Sequence, residues 1–478
     1  MAHALIHVLP PETLSEIFLF CVPSDDFVRI SNKHAPLVLT LVCSYWRRIA
    51  IASSQLWSSL LVHDKLPTDT FPLIDTWLTR SADRPLKLAL MLYDGGEHRR
   101  SIAQGLLNRL VVHATRWQEI HLQLPRRTYA ILFKRLKKKY QTKRRPLQLP
   151  FLETVTIHTS NDEGRGVGEM LCSVLQAAPR LRSLFWADFG CMSCTIDVLP
   201  QSAGLMELLL DMNLTVNQAL RILSHCPQLR ECTFGALRLC DAAPPPESPL
   251  LLPQLSSLTL HTCQDLSVLF DYVTLPALRS LSIQYAADNM EGHAFFTAWP
   301  VAEFAGMLWR SRCPLESLQL HAIGMDEWAL IQSIQPVEHS LKRLRIRNFG
   351  PASVKDHLLH LWTNAPAIAN TLDSSHPTSP LHSHSTSASA SASPSTAAAF
   401  CPGLDILELH ECIDASAGAL AAMVASRTRT AALRTLADAT PLRHVAVSGG
   451  CMADYRALWK MKKDGVLAHD LQMDLRSF

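Results

Sequence analysis

The sequence predicts an α/β protein: an N-terminal all-α unit followed by an irregular array of repeated strand–helix units. Three observations carry this. A Leu-x-x-Leu-x-Leu pattern, or a close apolar variant, recurs ten times between residues 152 and 447. Proline stands one or two residues before the first leucine in eight of the ten. The first sixty residues show helical spacing and no such pattern.

The N-terminal unit is read over residues 1–62. Leu9-Pro10-Pro11-Glu12 places prolines at a helix start, where the missing N–H costs nothing. Leu14, Ile17 and Phe18 follow at i, i+3 and i+4, one apolar stripe. A second helix is expected from Pro36 to Ala52, with Leu41, Val42, Trp46 and Ile49 along it, and Leu56-Trp57 close the unit. So small a unit is marginal alone, and an apolar stripe on it suggests a partner.

Residues 63–115 read as a linker with a first, irregular strand and helix around Leu86, Leu88 and Leu90. The array is read over 116–478. Its ten units begin at Leu152, Leu181, Leu205, Leu229, Leu255, Leu278, Leu315, Leu341, Leu404 and Leu442, with a weaker form at Trp117/Ile120/Leu122. The last two apolar positions of each unit sit at i and i+2, one face of a strand. Proline ends a helix and biases its neighbour toward extended backbone, so each proline marks a helix-to-strand switch. The 63-residue gap before Leu404 holds Asn370 to Ala399, where ten of thirty residues are serine. That composition cannot bury a core and is expected as a disordered insertion at 370–399. Ser379-Pro380 and Ser393-Pro394 within it could be proline-directed phosphosites or plain spacer.

The N-terminal residues Leu9-Pro10-x-Glu12-x-Leu14-x-x-Ile17-Phe18, Leu37-Val38-Leu39, Leu41-Val42-Cys43-x-x-Trp46-Arg47-x-Ile49-Ala50 and Leu56-Trp57-Ser58-Ser59-Leu60 resemble an F-box. The array behind it is similar to the leucine-rich repeats of F-box proteins. Asn213, Cys263 and Cys412 stand three residues after the last leucine of their units, where that class often has Asn or Cys. The resemblance implies an irregular leucine-rich-repeat solenoid. It also implies the role of substrate-recognition subunit in a Skp–cullin–F-box ubiquitin ligase. Leu9, Pro10, Leu14, Ile17, Phe18, Leu41, Val42, Trp46, Ile49, Leu56 and Trp57 would dock the Skp-family adaptor and, through it, a cullin scaffold. The repeats would hold an unknown protein substrate.

If the i, i+2 leucines point inward, their alternate neighbours line the exposed strand face. Arg343, Arg345 and Arg347 then stack three guanidiniums on one strand, suited to an acidic or phosphorylated segment unless carboxylates such as Glu408 pair them. His261 and His321 share a strand-face register and are candidate substrate contacts.

Charge is unevenly placed. Residues 126–145 hold ten basic and no acidic side chains, which leaves the rest of the chain at about −7 against an overall +3. Lys134, Arg135, Lys137, Lys138, Lys139, Lys143, Arg144 and Arg145, as a helix, would carry charge on most faces. They read as a solvated face, a nuclear localisation signal or a contact for an anionic ligand. A non-catalytic scaffold associated with nucleic acid or chromatin through 126–145 is the alternative function, although nucleic acid is not expected, since Tyr140 alone is thin support for base stacking.

Other motifs are weak. Gly164-Arg165-Gly166-Val167-Gly168 lacks phosphate-loop spacing, and Cys191-x-x-Cys194 has no partner pair for zinc. No nucleophile–base motif occurs, so neither catalysis nor a cofactor is expected. Thirteen cysteines without framework spacing and no signal-peptide pattern indicate reduced thiols in the cytosol or nucleus. No apolar run is long enough to span a membrane.

Overall fold

Leucine positions set the register of the sheet, and prolines set where each strand begins. The computed structural model describes residues 9–22, 27–63, 70–93, 95–140, 147–159, 171–172, 174–188, 204–239, 248–285, 299–321, 324–348, 353–363, 400–428, 440–467 and 471–476. It is a mixed α/β fold in two compact units, Met1–Ala277 and Leu278–Phe478.

The first unit opens with three short helices, α1 (Pro11–Phe20), α2 (Leu39–Val42) and α3 (Ser44–Ala52). Eight strands of the large sheet follow among the described residues: β1 (Ser59–His63), β2 (Leu86–Met91), β3 (Trp117–Leu124), β4 (Thr154–Thr159), β5 (Ser183–Asp188), β6 (Glu207–Thr215), β7 (Glu231–Leu239) and β8 (Ser257–Thr262). Each pairs in parallel with the next in sequence order. The connections carry α4 (Phe71–Arg80), α5 (Glu97–Val111), α6 (Arg126–Tyr140) and α7 (Val216–Ser224), and α8 (Ser267–Tyr272) follows β8. The second unit repeats the scheme with β9 (Ser280–Tyr285), β10 (Ser317–His321), β11 (Arg343–Arg347), β12 (Ile406–His410), β13 (His444–Ser448) and β14 (Gln472–Arg476). These are again parallel in sequence order. Its helices are α9 (Val301–Ser311), α10 (Glu327–Ile334), α11 (Asp356–Trp362), α12 (Ala419–Thr428) and α13 (Met452–Lys463).

All ten sequence repeats fall on strands, β4 to β13. Their inward residues form unbroken columns. In the first unit one column runs Leu90, Leu122, Ile157, Trp186, Leu210, Phe234, Leu260. In the second it runs Ile283, Leu320, Ile346, Leu409, Val447, Leu475. Nearly all these side chains are fully buried, each contributing about 1.5–3 kcal/mol of hydrophobic stabilisation. A one-residue slip would turn every column outward, so the register is strongly fixed. Cys263 and Cys412, flagged by the resemblance, turn their thiols toward carbonyls of the preceding strand region, Leu237 and Ile346, at 4.0 and 3.9 Å.

Two expectations change. The helix read from Pro36 to Ala52 is two helices: Cys43 is extended (φ −158°, ψ 170°), and its Sγ accepts the Trp46 N–H that α3 leaves unpaired. Residues 59–62, read as the close of the helical unit, are β1, already paired with β2. Within residues 63–115, where a linker and irregular units are expected, the described residues form α4, β2 and α5, with a register shift between Leu86 and Lys87. The insertion 370–399 with its Ser-Pro sites, the 164–168 turn and Cys191–Cys194 lie outside the described residues.

Candidate functional surfaces

The helical segment divides its apolar residues into a core and an exposed set. Leu14, Phe18, Ile49, Leu56 and Trp57, expected on a docking face, are buried inside the chain. This is a correction with a simple cause: three short helices crossing one another cover the stripe that one helix alone would expose. Phe18 packs on half-buried Trp46 with ring centroids 4.9 Å apart, and Ser15 and Ser53 hydroxyls join α1 to the end of α3 at 2.9 Å. Trp57 donates its indole N–H to Ala50 O at 2.8 Å and meets Trp77 of α4 edge-on at 4.9 Å. Leu9 is half-buried at the α1 entry, where its carbonyl accepts the Tyr45 hydroxyl, and Pro10 is exposed.

What remains outside is a different apolar set. Phe20 is 91% exposed, Leu41 58% and Val42 56%, joined by Ile17 and Ile51. Phe20 and Ile51 were not singled out in the sequence. Phe20 is nonetheless legible as a large apolar residue at the last position of α1, off the stripe of Leu14 and Phe18.

The strand faces carry the second set of candidates. In the second unit Arg343, Arg345 and Arg347 do line one face, with Leu344 and Ile346 buried between them. They are not three unpaired guanidiniums. Glu408 stands beside Arg345 in the register and its carboxylate lies 3.2 Å from Arg345 Nε. The same carboxylate is 3.8 Å from His410 Nε2, and His410 Nδ1 sits 3.0 Å from Ser448 Oγ. Burial, then the Arg345 charge, lowers the His410 pKa. The pair is half-exposed, so it is worth at most about 1 kcal/mol and can open to a competing anion. His321 and Arg347 are register neighbours beside it, whereas His261 is carried by β8 in the first unit.

The first unit's strand face has a feature sequence reading missed. Phe27, His121, His158 and Phe185 form a row of rings with successive centroids 6.1, 5.2 and 5.0 Å apart. The contacts of His158 with His121 and Phe185 are diagonals across β3, β4 and β5. The spacing of His158 and Phe185 around their leucines holds the signal, but only once register aligns the strands. Burial lowers the pKa of both histidines.

The basic run forms α6 as far as Tyr140. Charge does not cover most of its faces, because Tyr129, Leu132, Phe133 and Leu136 are buried along one side. Lys134, Lys138 and Lys139 are exposed, and Arg135 and Lys137 are half-buried. Tyr140, the candidate stacking residue, donates its hydroxyl to the carbonyls of Val111 and Val112 at 2.8 and 2.6 Å. Lys143, Arg144 and Arg145 lie outside the described residues.

Among the described residues no cluster of His, Cys, Asp or Glu could hold a metal ion, and no helix is long and apolar enough to cross a membrane. Buried thiols are held protonated: burial pushes Cys226, Cys401 and Cys412 up to about 12. No protein-family profile matches the chain, and no curated protein matches it in sequence.

Proposed function

We propose that the chain is the substrate-recognition subunit of a Skp–cullin–F-box ubiquitin ligase. In this reading α1 to α3 are an F-box that docks a Skp-family adaptor, and the strand arrays are an irregular leucine-rich-repeat solenoid that holds a protein substrate in the cytosol or nucleus. The supporting observation is the division of apolar residues in the helical segment. Its own core is complete in Leu14, Phe18, Ile49, Leu56 and Trp57, yet Phe20, Leu41 and Val42 stay exposed on adjoining short helices. Large apolar side chains left outside a finished core are the anchors of an interface. The strand face of Arg343, Arg345, Arg347 and Glu408 suits a substrate segment rich in carboxylate or phosphate.

The test is co-precipitation with a purified Skp-family adaptor. Leu41→Asp with Val42→Asp puts charge at exposed positions. It should leave the melting temperature within a few degrees and reduce adaptor binding about a hundredfold or more. Leu14→Asp instead puts a carboxylate into the core and should unfold the segment, so it cannot probe docking. Wild-type chain that fails to bind the adaptor, or a Leu41/Val42 variant that binds unchanged, refutes the assignment.

A further inference from the structure

Among the described residues, α13 and β14 of the second unit leave a groove between them uncovered. α12 packs against both α11 and α13. Asp454 ties the first turn of α13 to that neighbour by accepting the Ala421 N–H at 2.9 Å. On another side of α13, Met452, Tyr455, Arg456, Trp459, Lys460 and Lys463 line a groove whose far wall is Leu475 of β14. Met452, Tyr455, Trp459 and Lys463 recur at intervals of three and four, one helix face.

The groove is apolar at its centre and cationic at its rim. Trp459 is 67% exposed and Met452 49%, a large apolar area to leave in water. The floor is rigid: Tyr455 is buried and its hydroxyl accepts the Gly450 N–H at 2.9 Å. Lys462 turns away and donates to Leu471 O at 3.1 Å, which fixes the end of α13 to the approach of β14. The three cations that line the groove, Arg456, Lys460 and Lys463, meet no carboxylate in its lining.

We infer that this groove is a docking site for an acidic amphipathic helix of a partner protein. The helix's apolar stripe packs on Met452, Trp459 and Leu475, and its carboxylates meet Arg456, Lys460 and Lys463. A second copy of this chain fits poorly, because two such faces would oppose three cations to three cations. An anionic membrane offers the right charge but a flat surface, whereas Leu475 walls the groove on one side. The inference stands apart from the adaptor assignment, since none of these residues lies in the helical segment.

The probe is a dye-labelled peptide of about 14 residues, four helical turns, with leucines at i, i+3, i+4 and i+7 flanked by glutamates. Fluorescence anisotropy with the full chain compares it with a matched peptide carrying lysine at each glutamate. Vesicles of phosphatidylserine and phosphatidylcholine are tested by co-sedimentation. Trp459→Ala and the pair Lys460→Glu with Lys463→Glu change exposed side chains, and their circular-dichroism melts should match wild type. The acidic peptide should bind, and Trp459→Ala should weaken it at least about tenfold. The charge-reversed pair should prefer the lysine peptide. Equal binding of the two peptides to wild type overturns the inference, as does indifference to Trp459→Ala. Trp459-dependent self-association in sedimentation, or Trp459-dependent vesicle binding without peptide binding, also overturns it by naming a different occupant.

Discussion

Arg427 shows how much a single side chain can hold without leaving a trace in the sequence. It reads as one more polar residue at a helix end, where cations are common. In the structure it is 3% exposed, and its guanidinium reaches the carbonyls of Trp362, Cys401, Pro402, Leu404 and Thr440 at 2.9–3.4 Å. Those carbonyls come from three separate stretches of chain that close over the end of α12. Burial lowers its pKa, and no carboxylate pairs with it among the described residues, so the carbonyls alone offset its desolvation. Arg427→Met keeps the length and removes every donor. It should cost about 3 kcal/mol in urea unfolding, because the carbonyls are left dry and unpaired. Arg427→Lys should recover only part, since one ammonium cannot span the fork's positions. A methionine variant within about 0.5 kcal/mol of wild type would contradict this account. The same limit applied to the docking residues: spacing and the family resemblance named Leu14, Leu41 and Trp57 alike, and only packing decides which of them faces water.

At the scale of elements, helix starts in the second unit are satisfied by acids of a neighbouring helix rather than by local caps alone. Glu327 of α10 accepts from the N–H groups of Lys355 and Leu358 at 2.9 Å, at the start of α11. Asp356 of α11 accepts from Ser416 N–H and hydroxyl at 2.8 and 2.6 Å, just before α12. Asp454 of α13 reaches back to Ala421 in the first turn of α12. A helix N-terminus carries unpaired N–H groups and positive potential, so each carboxylate both caps and joins two repeats. Sequence patterns look for a cap within three residues, which is why this linkage was invisible. The Cys43 break was hidden for a related reason, because cysteine is not among the usual capping residues. Asp454→Ala should lower stability by about 1–2 kcal/mol, and Asp454→Asn by less, since an acceptor survives. Hydrogen exchange at the Ala421 amide should accelerate in the alanine variant; unchanged protection there would mean the bond carries nothing.

At the scale of the whole molecule, the columns of each sheet were legible because strand side chains alternate with period two, and every repeat announces its inward positions with leucine. Strands β1 and β14, which were missed, lack that announcement. Ser59–His63 follows the helical segment without a break, and Gln472–Arg476 alternates Met473 and Leu475 without the leucine three before. Strand faces were legible as positions but not as neighbours, so the ring row of Phe27, His121, His158 and Phe185 emerged only with register. That row makes the first unit sensitive to acid. His121 is lowered by burial and then by His158, with Glu119 opposing, and His158 by burial, with Asp211 opposing. His113 is lowered by burial and by Arg116 and Lys139, with Asp75 opposing. In the second unit His410 behaves likewise. Each of these histidines binds a proton less readily folded than unfolded, where its ordinary pKa is 6.5. Their contribution is therefore complete above that value and is lost as pH falls from it through the lower folded values. Melting temperature should hold steady above about pH 7 and decline as pH falls below 6.5. Exchange corrected for intrinsic rates should rise in β3 and β4 as pH falls, since they carry His121 and His158. His121→Phe with His158→Phe keeps the rings beside Phe27 and Phe185 and removes two titrations, so its decline should be shallower than wild type. An equally steep decline in that variant would take the acid response away from these histidines.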